Sequence, residues 1–276
     1  MKRKRLVTEF VKHPMLNYEN ELSMDKDELR RFPKVRPALP AKIAEIYAEQ
    51  YKSNREGRTR AASVAQRMES WLHRKVAQDV HTGTRATTLE IGAGTLNQLP
   101  YEPVTGSYDI VEPFAELYTG STLLGRVRHI YSDMDQIPTE AVYDRITSVA
   151  VFEHICDLPR VVAKSGILLR EGGRLRVSIP SEGTVLWWLG WRLTTGLEFW
   201  FRYGLNYGEL MRHEHVNTAH EIEQVIRYFF RDVQQSVFGI SKALSLYRFF
   251  ECKFPDLERC NSYLSGDGYR LTPSSK

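Results

Sequence analysis

The stretch TTLEIGAGTLNQLP, residues 87–100, constrains the fold more than any other, because a short β-branched run breaks there into a turn carrying Gly92 and Gly94. Glycines spaced so closely at the end of a strand let main chain lie directly against a ligand. Further along, SYDIVEP, RVRHIYSD, YDRITSVAVF and GGRLRVSIP are β-rich runs of similar kind. The segments between them are long enough for crossover helices or turns, so the pattern predicts an α/β chain whose parallel sheet has helices on both faces. Two helices are signalled directly. Over 58–80, Val64, Met68, Trp71 and Leu72 fall on one helical stripe. In TAHEIEQVIRYFF, Thr218 and Glu221 make a capping box ahead of Ile222, Val225, Ile226 and Phe229. DVQQSVFGI and LSLYRFFECKF then supply a terminal pair of β-like runs. Residues 1–45, charged and punctuated by proline, read as an irregular arm; residues 46–276 read as a single domain with 183–217 inserted before the capped helix.

A chain of 276 residues can bury one such domain with additions. Its net charge of +4 is mildly basic, but 34 acidic residues are interspersed, so nucleic acid is not an expected partner. Cys156, Cys252 and Cys260 are scattered, form no CxxC pair, and suit a reducing cytosol; a cytoplasmic location is expected. The basic start, MKRKRLVTEFVKHP, has no apolar stretch long enough for a signal peptide. It reads as a solvated tail, with weak attraction to an acidic membrane surface as the sharper alternative.

Ligands of open α/β sheets bind outside the carboxyl ends of the strands. The first run ends at Gly92, Gly94 and Thr95, the second at Glu112, the third at Asp133, and the fourth at Phe152, Glu153 and His154. A dinucleotide site calls for a third glycine where Asn97 stands, and a P-loop calls for a Gly-Lys pair that is absent. With Glu90, Glu112 and Asp133 around a turn that holds no Lys or Arg, an anionic cofactor is disfavoured and a cationic, phosphate-free adenosyl ligand fits. Glu112 could accept both ribose hydroxyls, and Asp133 the exocyclic adenine amine. A nicotinamide-dependent oxidoreductase would keep Glu112 for a ribose hydroxyl but lacks pyrophosphate donors. A non-catalytic relative that only binds the cofactor is the other alternative.

LEIGAGT followed by YDIVEP, IYSDMDQIP, YDRITSVAVFEHICDLP and LLREGGRLRVSIP resembles the motif series of class I S-adenosylmethionine-dependent methyltransferases, closest to the type 11 group that includes quinone-biosynthesis enzymes. The resemblance spans residues 86–182 and, more loosely, the capped helix and final runs. It implies a Rossmann-like, seven-stranded, mostly parallel sheet with a reversed last strand, an S-adenosyl-L-methionine cofactor, and residues 183–217 as an aromatic lid over the acceptor. It implies that Glu90, Gly92, Ala93 and Gly94 wrap the methionine part, that Glu112 beside Pro113 holds the ribose, and that Asp133 and Met134 meet the adenine edge. Ala150 and Phe152 match positions near the sulfonium. Tyr47 and Tyr51 look like the paired tyrosines that close over the cofactor in such enzymes; either also suits helix-face packing.

Methyl transfer from a sulfonium is an in-line displacement that needs alignment and exclusion of water. A neutral hydroxyl acceptor also needs a base, a role suited to histidine near neutral pH. His154, at the end of the fourth run, and His215, before the capped helix, are the candidate bases, with Glu153 and Asp157 as orienting groups or surface acids. The quinone O-methyltransferases carry a Glu-x-x-Glu-His pattern that resembles a cation site. Here its leading position is Ala150 and only Glu153 and His154 match, while His213, Glu214 and His215 have a spacing that defines no metal geometry. No required metal is expected.

The insert TVLWWLGWRLTTGLEFWFRYGLNYGELM holds Trp187, Trp188, Trp191 and Trp200, four of the five tryptophans. Arg192, Glu198 and Arg202 interrupt it too often for a transmembrane span. Its aromatics could stack on sugar faces, enclose an isoprenoid or acyl tail, lie peripherally in a membrane interface, bury a dimer contact, or simply form lid core. SNREGRTRAAS, MESWLHRKVA and HEHVNTAHEI together resemble methyltransferases of bacterial surface-polysaccharide biosynthesis, which implies a sugar-containing, small-molecule or glycan acceptor. Methylation on oxygen, ahead of nitrogen or carbon, and a monomer or homodimer are expected. A lipid or quinone acceptor is the alternative.

Overall fold

Alternation within each β-rich run decides which sheet face its side chains reach. In β1 (Thr87–Ile91), Leu89 and Ile91 point to one face and Thr88 and Glu90 to the other, all of them buried. The computed structural model that shows this describes residues 24, 26–46 and 63–266. Six further strands follow: β2 (Ser107–Val111), β3 (His129–Tyr131), β4 (Tyr143–Val149), β5 (Leu169–Pro180), β6 (Phe230–Gly239) and β7 (Ser245–Pro255). They form one sheet in the order β3-β2-β1-β4-β5-β7-β6. β7 runs antiparallel to both β5 and β6, and the other pairings are parallel. This is the Rossmann-like sheet with a reversed last strand that the motif order implies.

The helices are α1 (Lys26–Leu29), α2 (beginning at residue 41), α3 (Ser63–Val76), α4 (Leu158–Leu168), α5 (Val185–Trp191), α6 (Leu197–Tyr203), α7 (Tyr207–Glu214), α8 (Ala219–Phe229) and α9 (Leu257–Ser265). Leu89, Ile146, Leu175, Val177 and Ile179 share the main core with α4, α8 and α9. α8 forms where its capping box starts it: the Thr218 hydroxyl accepts from the Glu221 N–H at 3.2 Å, and Glu221 reaches back to the Thr218 N–H at 2.8 Å. Ile222, Val225, Ile226 and Phe229 are then fully buried, each stabilising the fold by about 1.5–3 kcal/mol. α4 starts just after Asp157, whose carboxylate accepts from the Arg160 N–H.

The opposite face is buried but polar. There Arg145 of β4 pairs with Asp79 and Glu102, while Arg176 of β5 donates to the Val76 and Lys75 carbonyls at the end of α3. The stripe expected over 58–80 appears as α3, with Leu72 buried; the side chains of Val64 and Met68 lie outside the described residues. The connections after β1, β2 and β3 hold only 3-10 turns, so among the described residues α4 is the one full helix that crosses between adjacent parallel strands. The arm read as irregular contains α1 and the start of α2, with turns and chain of no regular structure between them.

Two features of β1 determine the geometry beyond it. Gly92 has φ +71°, and a Cβ there would stand 2.4 Å from a Val151 methyl, so the turn closes on the exit of β4 only because this side chain is absent. Glu90 accepts from the Tyr108 hydroxyl at 2.8 Å, yet its burial, with Glu102 and Glu112 nearby, pushes its carboxyl up to about 8.

Gly92→Ala is therefore expected to destabilise the fold by about 2–4 kcal/mol, part from the left-handed backbone and part from overlap. Adding Val151→Ala should return the overlap part alone. Denaturant unfolding measures both, and a Gly92→Ala chain as stable as the parent contradicts the packing. Because the folded carboxyl of Glu90 titrates above its ordinary value of 4.5, the stability it contributes is complete below that value and is lost as pH rises toward about 8. Glu90→Gln should remove this loss and exceed the parent's stability at pH 9 by an amount on the order of a few kcal/mol, with little difference at pH 4.5. Parallel stability–pH curves for the two chains contradict it.

Candidate functional site

At the carboxyl edge of the sheet, main chain and carboxylates meet. The Gly94 N–H donates to one oxygen of Glu112 at 2.8 Å, and the Phe114 N–H donates to the other at 3.1 Å. Glu112 is buried, and each oxygen keeps a lone pair for a further donor. Pro113 and Phe114 beside it are exposed, and Thr95 is half-buried at the turn. Ala93 packs into the small core with Leu96 and Leu99. Asp133 is exposed and caps the 3-10 turn Met134–Gln136 through its bond from the Asp135 N–H at 2.7 Å, whereas Met134 is buried in the main core. Tyr47 and Tyr51 lie outside the described residues.

The chain leaves β4 through Ala150, in left-handed backbone at φ +54°, with its N–H bonded to the Ser178 carbonyl. Val151 presses on Gly92, and the Phe152 side chain turns into the main core, where it is fully buried. Glu153 and His154 follow on a 3-10 turn. Glu153 is 2% exposed; burial pushes its carboxyl up to about 7, opposed by His154, and its Oε2 has no hydrogen-bond partner among the described residues. His154 Nε2 stands 3.7 Å from Glu153 Oε1, while His154 Nδ1 donates to the Glu214 carbonyl at 2.9 Å. His215 Nδ1 lies 2.8 Å from Glu182 Oε2, which also accepts from the indole N–H of Trp187. The two imidazoles meet edge to face at 4.9 Å, and the Trp187 ring lies nearly parallel to that of His215 at 6.4 Å. Glu153, His154 and His215 thus converge, one nitrogen or oxygen from each lying within 4.8 Å of the others.

A short zipper brings them together. The amide of Asn217 donates to the carbonyls of Phe152 at 2.9 Å and Ile155 at 2.7 Å, and the N–H groups of Val216 and Asn217 both donate to the Glu153 carbonyl. Residues 34–37 strap over it. Lys34 reaches the Val216 carbonyl and Glu221, and Arg36 donates to the carbonyls of His154, His213 and Glu214. His213 bonds the Pro37 carbonyl, the Glu214 carboxylate stands 3.5 Å from His154 Nδ1 at the border of the cluster, and His215 joins it. Asp157 caps α4 and receives the Tyr263 hydroxyl, which is a structural task. Sequence reasoning missed Lys34, Arg36, Glu182 and Asn217. Asn217 alone had a signal, standing directly before the capping box between two histidine-bearing stretches.

The insert folds as α5, a π-helical turn (Arg192–Gly196), α6 and α7. Its aromatics divide. Trp187 faces the cluster and Tyr247, Trp191 packs on Tyr207, and Trp188 and Trp200 are exposed with Leu193, Leu197 and Phe201. Among the described residues no helix is long and apolar enough to cross a membrane.

No family model matches the chain, and no curated protein matches it in sequence. Solved structures do resemble it. A protein of Bordetella parapertussis described as a possible exported protein aligns at TM-score 0.50 and 14% identity over 85% of this chain and 80% of its own. A SAM-dependent methyltransferase of Thermotoga maritima, described as a possible histamine N-methyltransferase, aligns at TM-score 0.48 and 15% identity over 76% of this chain and 98% of its own. The N-methyltransferase NodS of Bradyrhizobium japonicum, in complex with S-adenosyl-L-homocysteine, aligns at TM-score 0.44 and 14% identity over 70% of this chain and 89% of its own. At these identities the likeness is one of fold.

Proposed function

We propose that the protein is an S-adenosyl-L-methionine-dependent methyltransferase acting on an oxygen of a polar, sugar-containing or other small-molecule acceptor. One observation carries the reading: the Gly94 N–H at the glycine turn is already bonded to the buried Glu112 carboxylate. A pyrophosphate would need that N–H and would meet a negative charge in its place, whereas an adenosyl sulfonium brings no phosphate, adds a positive charge, and offers ribose hydroxyls to the remaining lone pairs of Glu112. Glu90, Gly92, Ala93, Gly94, Thr95 and Glu112 make the methionine and ribose side of this site; Pro113, Asp133, Met134 and Ala150 flank it. Phe152 serves it from the core, through the backbone it anchors. The acceptor oxygen meets the Glu153–His154–His215 cluster, which lies two residues beyond the contact of Val151 with Gly92.

A second reading, methylation of a lipid or quinone acceptor, is favoured by the exposed apolar face that Trp188, Leu193, Leu197, Trp200 and Phe201 present on the insert. Methylated product from cell extract that partitions into water supports the first reading, and product that partitions into organic solvent supports the second.

Calorimetry tests the cofactor. S-Adenosylhomocysteine should bind, NAD should not, and Glu112→Ala should weaken the former by about 1–3 kcal/mol. Unchanged affinity in that variant removes the ribose assignment, and tight binding of NAD removes the methyltransferase. His154→Ala should leave cofactor binding intact and lower turnover about a hundredfold or more; full turnover in this variant removes the cluster from the reaction.

A further inference from the structure

We propose that Glu153, His154 and His215 bind one divalent first-row transition ion of the Zn2+ class. Sequence spacing argued against a metal because Ala150 occupies the position of an expected carboxylate. The structure brings the third group from beyond the insert instead, as His215.

Three independent features support the site. The first is the tautomer of each ring. A carbonyl oxygen can only accept, so the Glu214 carbonyl fixes the proton of His154 on Nδ1 and leaves a lone pair on Nε2, the atom that stands 3.7 Å from Glu153. The Glu182 carboxylate does the same for His215, and a carboxylate behind a histidine is the arrangement that orients imidazoles toward metals. The second is Glu153 itself, almost wholly buried, with an Oε2 that no donor among the described residues satisfies. A coordinated cation supplies the missing partner. The third is proximity. Ligand atoms on a common Zn2+ lie about 3–3.5 Å apart, given bonds of about 2.0–2.2 Å. The observed separations, within 4.8 Å, close to that span by small side-chain movements.

The donor set selects the ion. Two imidazoles and one carboxylate suit Zn2+ and its neighbours, whereas Mg2+ and Ca2+ prefer sites made wholly of oxygen. Three protein ligands leave positions open, and His154, with its side chain 31% exposed, gives access to them. An ion there would polarise a coordinated hydroxyl and lower its pKa. That role rests on the methyl-transfer reading above; the binding of the ion does not.

The test uses the full chain stripped with chelator. Titration with zinc chloride in a calorimeter should show one ion per chain, and magnesium chloride should show none. Glu153→Gln and His215→Ala should each weaken zinc binding about tenfold to hundredfold, as should Glu182→Gln through the ring it holds, while His81→Ala should change nothing. With cobalt chloride, the parent chain should develop the visible bands of nitrogen and oxygen coordination without a thiolate charge-transfer band. No stoichiometric uptake, uptake undiminished in Glu153→Gln and His215→Ala, or a thiolate band overturns the site. Should either variant lose cooperative unfolding, the cobalt spectrum of the parent decides alone. A parallel titration with S-adenosylhomocysteine separates the two claims. Ion uptake without nucleoside binding upholds the site and removes the methyl-transfer reading, and nucleoside binding without ion uptake does the reverse.

Discussion

The hydrogen bond from the Gly94 N–H to Glu112 joins the turn after β1 to the end of β2 and sets the electrostatic character of this edge of the sheet. An open turn of this kind presents main-chain N–H groups that attract anions. Here the protein fills that role with its own carboxylate and adds a second buried acid, Glu90, a few residues away. With both acids out of water, the burial of Glu90 is costly enough to push its carboxyl up to about 8. A positively charged ligand relieves that cost; a phosphorylated one aggravates it. The same fold can serve either ligand, so it is the carboxylates rather than the sheet that direct the reading.

The second constraint lies at the end of β4. Absence of a side chain at Gly92 admits Val151, left-handed backbone at Ala150 redirects the chain, and Asn217 fastens the following turn to the segment before α8. Two stretches far apart in sequence therefore place His154 and His215 ring to ring. Lys34 and Arg36 hold the same junction from outside by bonding its carbonyls, which gives the proline-punctuated arm a positioning task. Each of these bonds runs to backbone, so the arrangement relies on main-chain geometry more than on matching side chains.

Much of the fold was legible because it rests on local pattern. The β-branched runs became strands, Thr218 and Glu221 started α8 as a capping box, and the final pair of runs closed the sheet with its reversed strand. The form of the connections after β1, β2 and β3 was less legible, since segments long enough for crossover helices hold 3-10 turns instead. At the site, Glu112 could be read from its place at a strand end. The convergence of Glu153, His154 and His215 could not, because it depends on a contact across the insert that no spacing records. Lys34, Arg36 and Glu182 were invisible for the same reason: their partners are carbonyls or a ring brought near only by folding. Phe152 matched a motif position near the sulfonium, but the left-handed turn at Ala150 and the 3-10 turn that Phe152 begins leave its ring in the core.

The account turns on where an adenosyl group sits relative to Glu112. The most direct measurement is a crystal structure of the chain with S-adenosylhomocysteine bound. The account predicts the ribose hydroxyls on the Glu112 carboxylate, with the amino-acid tail along Gly92 to Gly94. A nucleoside seated elsewhere, or a ribose that leaves Glu112 bonded only to the Gly94 and Phe114 N–H groups, would contradict it.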